Sequence, residues 1–344
     1  MIRNWLKPVI QCCIIAVLLS GCRFYEQTDV QTFSGYAMGT SYSIKLVSTL
    51  SEARGLQIGV EGVLSDINQR MSTYLPRSDL SRFAELPVGE SLQVDEKTIT
   101  VVQQALNVAR ETDGAFDPTI APLVDLWGFG PTARQSALPS GDAIAAELEN
   151  VGYQEVGIDA SEQSLVKLAD RTLDLSAIAK GYAVDQVAQY LEAKGYSDFL
   201  VEVGGEMRFS GQKPNGDAWR IAIEKPDPME RAPFRLLEMR GHAVATSGDY
   251  RNYIEVDGQR YSHTIDPETG YPIDHDLASV TVVMDSCMAA DAYATAFNVM
   301  GRAQALQKAE ALNIAVYIIY READGFKTEQ SSRFTALFGN APAL

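Results

Sequence analysis

The chain is expected to fold as an α+β protein, and three observations carry that expectation. Apolar residues recur at helical spacing over 52–70, 96–112 and 177–194. Short strand-like runs crowd into 154–175 and 219–256 with no helical pattern inside either stretch. Strand–helix–strand alternation is never sustained, which argues against a doubly wound parallel sheet.

The elements follow in order. Tyr42, Ile44 and Leu46 alternate as a half-buried strand, preceded by a polar stretch, 22–33, that reads as a tether. The helical patterns at 52–70 and 96–112 come next, then a short helix over Ala143–Val151. Strand-like runs occupy 154–159, 164–168 and 172–175, before a helix at about 177–194 that ends at Gly195. Phe199–Val203 is a strand running into Gly204-Gly205, a pair that permits either a turn or close backbone approach to a ligand. Asp257-Gly258 carries a hairpin signal. Val280–Met284 is a further strand, followed by helices over 287–300 and 302–312 parted at Gly301, and by the strand Ile314–Tyr320. No internal repeat, low-complexity tract or long linker interrupts this order.

The N-terminus has the form of a targeting segment. Arg3 and Lys7 precede an apolar run, Val9–Leu19, too short to span a bilayer. It ends in Leu19-Ser20-Gly21-Cys22, a lipobox in which the Cys22 thiol takes a diacylglycerol after cleavage. The domains expected are a signal peptide over 1–21, a tether over 22–33 and one folded domain over 34–344. Cys12 and Cys13 leave with the signal, so Cys287 is alone in the mature domain, where no intramolecular disulfide can form. Forty-five acidic against 29 basic residues give a net charge of −16, which repels nucleic acid and anionic lipid. Attachment therefore rests on the acyl chains and places the domain on the periplasmic face of a bacterial membrane.

Several chemistries are absent from the pattern. Gly128-Phe129-Gly130-Pro131-Thr132-Ala133 fits a dinucleotide fingerprint in letters, but no strand precedes it. There is no phosphate-binding P-loop, no H-E-x-x-H and no paired cysteine motif. Ser176 and Lys180 are spaced S-x-x-x-K, which is not the S-x-x-K of serine hydrolases.

Four segments remain that core packing does not explain. Thr112 to Thr119, running on to Gly130, places Gly, Pro, Asp and aromatic residues directly after an amphipathic helix; it suits a ligand loop or a helix connector. Asp174-Leu175-Ser176-Ala177-Ile178-Ala179-Lys180-Gly181 opens a helix, so Asp174 is an N-cap, a ligand contact, or both. Ser262 to Gly270 sets His263, one of three histidines, beside an Asp266-Pro267 turn. Asp291 and Thr295 lie four apart in an Ala-rich helix with their oxygens on one face, as a dipole pairing or as cation ligands.

Taken together and in this order, these four segments resemble the ApbE family of bacterial FAD:protein FMN transferases, from about Met38-Gly39-Thr40 to the strand near Tyr317. The resemblance implies a two-lobed, T-fold-related domain with mixed or antiparallel sheets and a flavin cleft. It implies FAD as substrate, bound by Met38, Tyr74, Ala115, Phe116, Asp117, Asp174, Lys180 and Ile265. It implies Mg²⁺ held by Asp291, Thr295 and the backbone oxygen of Ala177, with His263 as the base that activates the acceptor hydroxyl. A chain this acidic needs such a cation to receive a pyrophosphate. The acceptors implied are flavin-carrying subunits of the Na⁺-translocating NADH:quinone oxidoreductase and of Rnf-type complexes. Two alternatives share the same pocket residues: an FAD pyrophosphatase yielding FMN and AMP, and a lipoprotein that binds flavin without chemistry.

Overall fold

The computed structural model describes residues 28–131, 138–227, 229–250, 253–256 and 258–340. Its centre is an eight-stranded sheet: β1 (Asp29–Ala37), β2 (Thr40–Ser48), β3 (Phe199–Val203), β4 (Glu206–Ser210), β5 (Ala243–Gly248), β6 (Leu277–Met284), β7 (Ala315–Glu322) and β8 (Gly325–Gln330). Spatial order equals chain order and every pairing is antiparallel. The α+β class is as expected. The sheet is open, with β1 and β8 as its edges, and forms no closed barrel.

Both faces of the sheet are covered, which explains why β6 is buried along nearly its whole length rather than at alternate residues. On one face Ile44, Leu46, Val201, Val280, Val282 and Ile318 meet the helices Leu50–Met71, Glu96–Glu111, Ala179–Ala193 and Cys287–Ala311. On the other, Phe209, Val244, Tyr317 and Ile319 pack against the hairpin Trp219–Glu224/Pro233–Met239 and the C-terminal helix Ser332–Phe338. A third, smaller cluster joins Leu123, Trp127, Ile144 and Ile265 and forms the core of the lesser lobe.

Local chemistry accounts for the helix ends. Thr49 and Glu52 form a reciprocal capping box at Leu50–Met71, and Asp95 caps Glu96–Glu111. Gly301, at φ 71 and ψ 170, interrupts Cys287–Ala311 where the sequence predicted two helices. Tyr253–Val256 pairs antiparallel with Gln259–Ser262 on either side of Asp257-Gly258; Asp257 lies outside the described residues.

Three expectations are corrected. The tether does not extend to residue 33, because β1 opens at Asp29, with Val30 and Phe33 packed on opposite faces of the sheet. An edge strand is half exposed, so its polar composition concealed it. Residues 172–175 form no strand. Leu173 and Leu175 are buried and mimic alternation, but the backbone crosses to the 112–119 segment through a single bond, Asp174 N–H to the Pro118 carbonyl (2.7 Å). Finally, Asp79–Ala84, Ala121–Leu126, β4 and β8 were not anticipated, being too short or too exposed to show a period.

Candidate functional site

The site begins where two helices touch. A Cβ on Gly181 would sit 2.3 Å from the Cys287 carbonyl oxygen and 2.8 Å from Asp291 Cβ, so only glycine lets Ala179–Ala193 approach Cys287–Ala311 this closely. Asp185, one turn further on, fastens the contact. Its carboxylate accepts from the Cys287 and Met288 amides (3.1 and 3.0 Å), the Ser286 hydroxyl (2.9 Å) and Arg208 (2.8 Å). The N-terminus of the second helix is thereby pinned against the first.

This contact delivers Asp291 to the segment it was expected to work with. Asp291 is 5 % exposed, and its Oδ2 accepts from the Gly181 amide at 3.0 Å. That amide is therefore not spent on the Ala177 carbonyl four residues earlier. Lys180 donates to the Ser176 carbonyl at 2.8 Å, and its Nζ lies 3.7 Å from both Asp291 Oδ2 and Glu206 Oε1. Burial pushes the Glu206 carboxyl up to about 8; the Lys180 ammonium opposes that rise and Asp291 adds to it. Burial likewise raises the Asp291 carboxyl. For Lys180 burial works to lower the ammonium's pKa, but Asp291 and Glu206 together override it and the pKa rises. Thr295 follows one turn after Asp291 on the same face, half-buried.

Two turns close over this group. Met38 and Gly39 both have positive φ (53° and 73°) and join β1 to β2 with Ala37 opposite Thr40, a primed two-residue hairpin. Gly204, at φ 64, bonds through its amide to the Ser41 carbonyl (3.0 Å); a Cβ there would meet Thr40 at 2.9 Å and Lys180 Cδ at 3.1 Å. Thr40, Lys180, the double-glycine turn and Glu206 are thus neighbours. Asp174 accepts from the Ser176 amide at 2.7 Å and shapes the entry to the helix that carries Lys180.

The 112–130 and 262–270 segments also come together. The Trp127 indole donates to the Gly270 carbonyl at 2.9 Å and packs on the Tyr261 and Tyr271 rings, while Phe129 meets His263 edge-on at 6.3 Å between centroids. Ile265 is buried in the same small cluster. Asn298 lies seven residues, or two turns, beyond Asp291. Its amide reaches Ser247 Oγ (3.2 Å) and Thr264 Oγ1 (3.4 Å), tying the His263 segment to the Asp291 helix. Asp266 accepts from the Glu268 amide and the Thr269 hydroxyl, which holds its own turn.

Asp117 is buried, and burial raises its carboxyl, yet it is well satisfied. It accepts from the Thr119 amide (2.7 Å) and hydroxyl (2.6 Å) and from the Tyr153 amide (3.0 Å). These bonds rigidify the loop that presents Ala115 and Phe116. Phe116 itself is 3 % exposed and packs into the main core. Tyr74 is 65 % exposed on a turn after Leu50–Met71 and bonds only locally, through its amide to Ser72 Oγ. Cys22 lies outside the described residues.

Glu206 was not found from sequence. It is 5 % exposed, its Oε2 has no hydrogen-bond partner, and the only signal was its position after Gly204-Gly205. It bears directly on whether a cation fits. Two buried carboxyl groups face one ammonium; Thr295 follows Asp291 on its helix, and the Gly181 contact brings Asp291 to the segment that holds Ala177. Among the described residues no three His, Cys, Asp or Glu gather as a metal-binding group. A hard cation that takes one or two carboxylates and fills its shell with phosphate oxygens and water suits this donor set.

Residues 38–318 match the ApbE family. An FAD:protein FMN transferase of Vibrio cholerae is 42 % identical over 96 % of this chain and 98 % of its own, and one of Haemophilus influenzae is 39 % identical over 94 % and 96 %. Among solved structures, the flavin transferase ApbE from Vibrio cholerae superposes with a TM-score of 0.84 at 41 % identity, covering 91 % of this chain and all of that one. The apo flavinyl transferase ApbE of Pseudomonas stutzeri gives 0.84 at 41 % identity, covering 92 % and 98 %. Sequence and fold agree: the chain belongs to the ApbE family.

Proposed function

We propose that this protein transfers FMN from FAD to a Thr or Ser hydroxyl of an acceptor protein, releasing AMP. The observation that carries this is the pairing of a charged pocket (Asp291, Lys180 and Glu206) with a histidine segment bonded to the same helix through Asn298 and Thr264. The acceptor hydroxyl oxygen attacks the FAD phosphorus nearest riboflavin, the P–O bond to the AMP half breaks, and His263 takes the hydroxyl proton. Lys180 offers the pyrophosphate a positive charge. The Met38-Gly39 turn, Ala115, Phe116, Asp174 and Ile265 shape the surround of the dinucleotide, with Tyr74 at its margin. Mg²⁺ would be held by Asp291, Thr295 and the Ala177 carbonyl, and it supplies neutralisation of the pyrophosphate charge.

Lipidation at Cys22 and residence at the periplasmic face complete the proposal. They rest on the N-terminal motif; no helix among the described residues is long and apolar enough to cross a membrane. Acceptors there would be flavin-carrying subunits of the Na⁺-translocating NADH:quinone oxidoreductase or Rnf-type complexes. The test combines the protein, FAD, Mg²⁺ and a candidate acceptor, and weighs the acceptor. An FMN adduct with free AMP supports transfer. Free FMN plus AMP with unmodified acceptor makes the protein a pyrophosphatase, and intact FAD makes it a binding protein. Replacing Cys22 with Ala should release an active soluble enzyme; a variant that stays membrane-bound refutes the anchor.

A further inference from the structure

Glu206 belongs to the charged pocket but takes no step in the transfer described above, yet its placement is energetically demanding. It sits on β4, 5 % exposed, with Oε2 unpartnered and Oε1 3.7 Å from the Lys180 ammonium. The same ammonium stands 3.7 Å from Asp291 Oδ2 on a different element, and 2.8 Å from the Ser176 carbonyl. A carboxylate this deep costs stability unless a charge faces it. Here the facing charge is shared with the residue assigned to the cation.

We propose that Glu206 is a positioning residue for Lys180: it offers the ammonium a second acceptor, so that the lysine neutralises Asp291 while no divalent cation is bound and withdraws onto Glu206 when one enters. The inference rests on the assignment of the cation to Asp291. Its physical basis is short. A divalent ion and an ammonium cannot both sit against one carboxylate without strong repulsion. The lysine stem has the rotamers to shift, and the unpartnered Oε2 of Glu206 is an acceptor not yet engaged. Gly204 keeps that path open, since a Cβ there would press on Lys180 Cδ at 3.1 Å.

The test is a double-mutant cycle read by cation binding rather than turnover. Mn²⁺ is titrated, by calorimetry and by its EPR signal, into the protein alone and with FAD, for wild type, Glu206→Gln, Glu206→Asp, Lys180→Met and Lys180→Met/Glu206→Gln. Glu206→Gln should weaken Mn²⁺ binding by roughly tenfold or more, because the lysine is then left on Asp291. Glu206→Asp, which keeps the charge, should recover most of that loss. Lys180→Met should tighten binding, and in that background the Glu206→Gln penalty should shrink to about twofold. Melting in EDTA gives a second reading: Lys180→Met should melt lower than wild type and gain more from added Mn²⁺. An unchanged Glu206→Gln penalty in the Lys180→Met background overturns the proposal, because Glu206 then binds the cation itself. Unaltered Mn²⁺ affinity in Glu206→Gln overturns it too. Asp291→Asn separates the premise: if that variant binds Mn²⁺ like wild type, the cation assignment fails independently of Glu206.

Discussion

Gly181→Ala should damage catalysis more than any other single-methyl addition to the helices. A β-carbon at this position would lie 2.3 Å from the Cys287 oxygen and 2.7 Å from its carbonyl carbon, against an ordinary contact of 3.4 Å or more. Both obstructing atoms are backbone and cannot rotate away, so the two helices must part by about 1 Å. Overpacking of this kind costs about 1–3 kcal/mol. Alanine returns at most ~1 kcal/mol through its better helix propensity. Steric conflict wins, and a net loss of ~1–2 kcal/mol should appear as a lowered melting temperature. The functional effect should be larger, since the displaced contact sets Asp291 against Gly181 and Lys180, and a 1 Å misplacement can cost about 10²-fold in rate. Gly62→Ala is the control: it lies exposed in Leu50–Met71 with no atom within 4 Å, and should be neutral or stabilising by up to ~1 kcal/mol. Single-turnover flavinylation followed by mass, beside thermal melts of both variants, provides the comparison. A Gly181→Ala enzyme that transfers at the wild-type rate would refute the claim that this helix contact positions the site.

Asp291→Ala should abolish transfer and weaken FAD binding; EDTA should mimic it, with Mg²⁺ reversing the chelation but not the mutation, and full activity in excess EDTA would remove the cation from the mechanism. His263→Ala should cut single-turnover transfer by about 10²–10⁴-fold while calorimetric FAD affinity is largely kept; loss of affinity and thermal stability together would instead make the histidine structural. Trp127→Phe removes the donor to the buried Gly270 carbonyl (2.9 Å) and should cost about 1–3 kcal/mol of stability, with kcat falling more than KM rises. Unchanged melting and turnover in that variant would show that the indole does not hold the His263 segment.

What could be read from sequence divides along physical lines. The long helices and the strand around Ile44 announced themselves because each buries one face and repeats that choice at its own period. The four segments proposed for the pocket stood out in the sequence because glycine, proline and aspartate stand where no core would place them. Gly181 was quoted among those segments, but its task was not, since a helical glycine looks only like a weak point until its partner, 110 residues away at Asp291, is brought against it. Glu206 escaped for a related reason: one carboxylate on a strand is an ordinary surface residue unless the fold buries it beside Lys180. Asp117 was read as a ligand contact, and its three internal bonds reveal a loop organiser that periodicity could not disclose.

The early start of β1 also sets how far the enzyme can range. With Cys22 as the attachment point, only residues 22–28 separate the lipid from Asp29, a span of at most about 25 Å when fully stretched. Eight strands at ~4.8 Å spacing make the sheet itself roughly 34 Å across. On the proposed lipidation at Cys22, the leash would be shorter than the body it holds. A protein so anchored would roll on the bilayer surface instead of swinging outward, and an acceptor would have to bring its hydroxyl down to it. Membrane-embedded partners diffusing in the same plane meet that condition continually, while a freely diffusing one meets it only on collision with the surface.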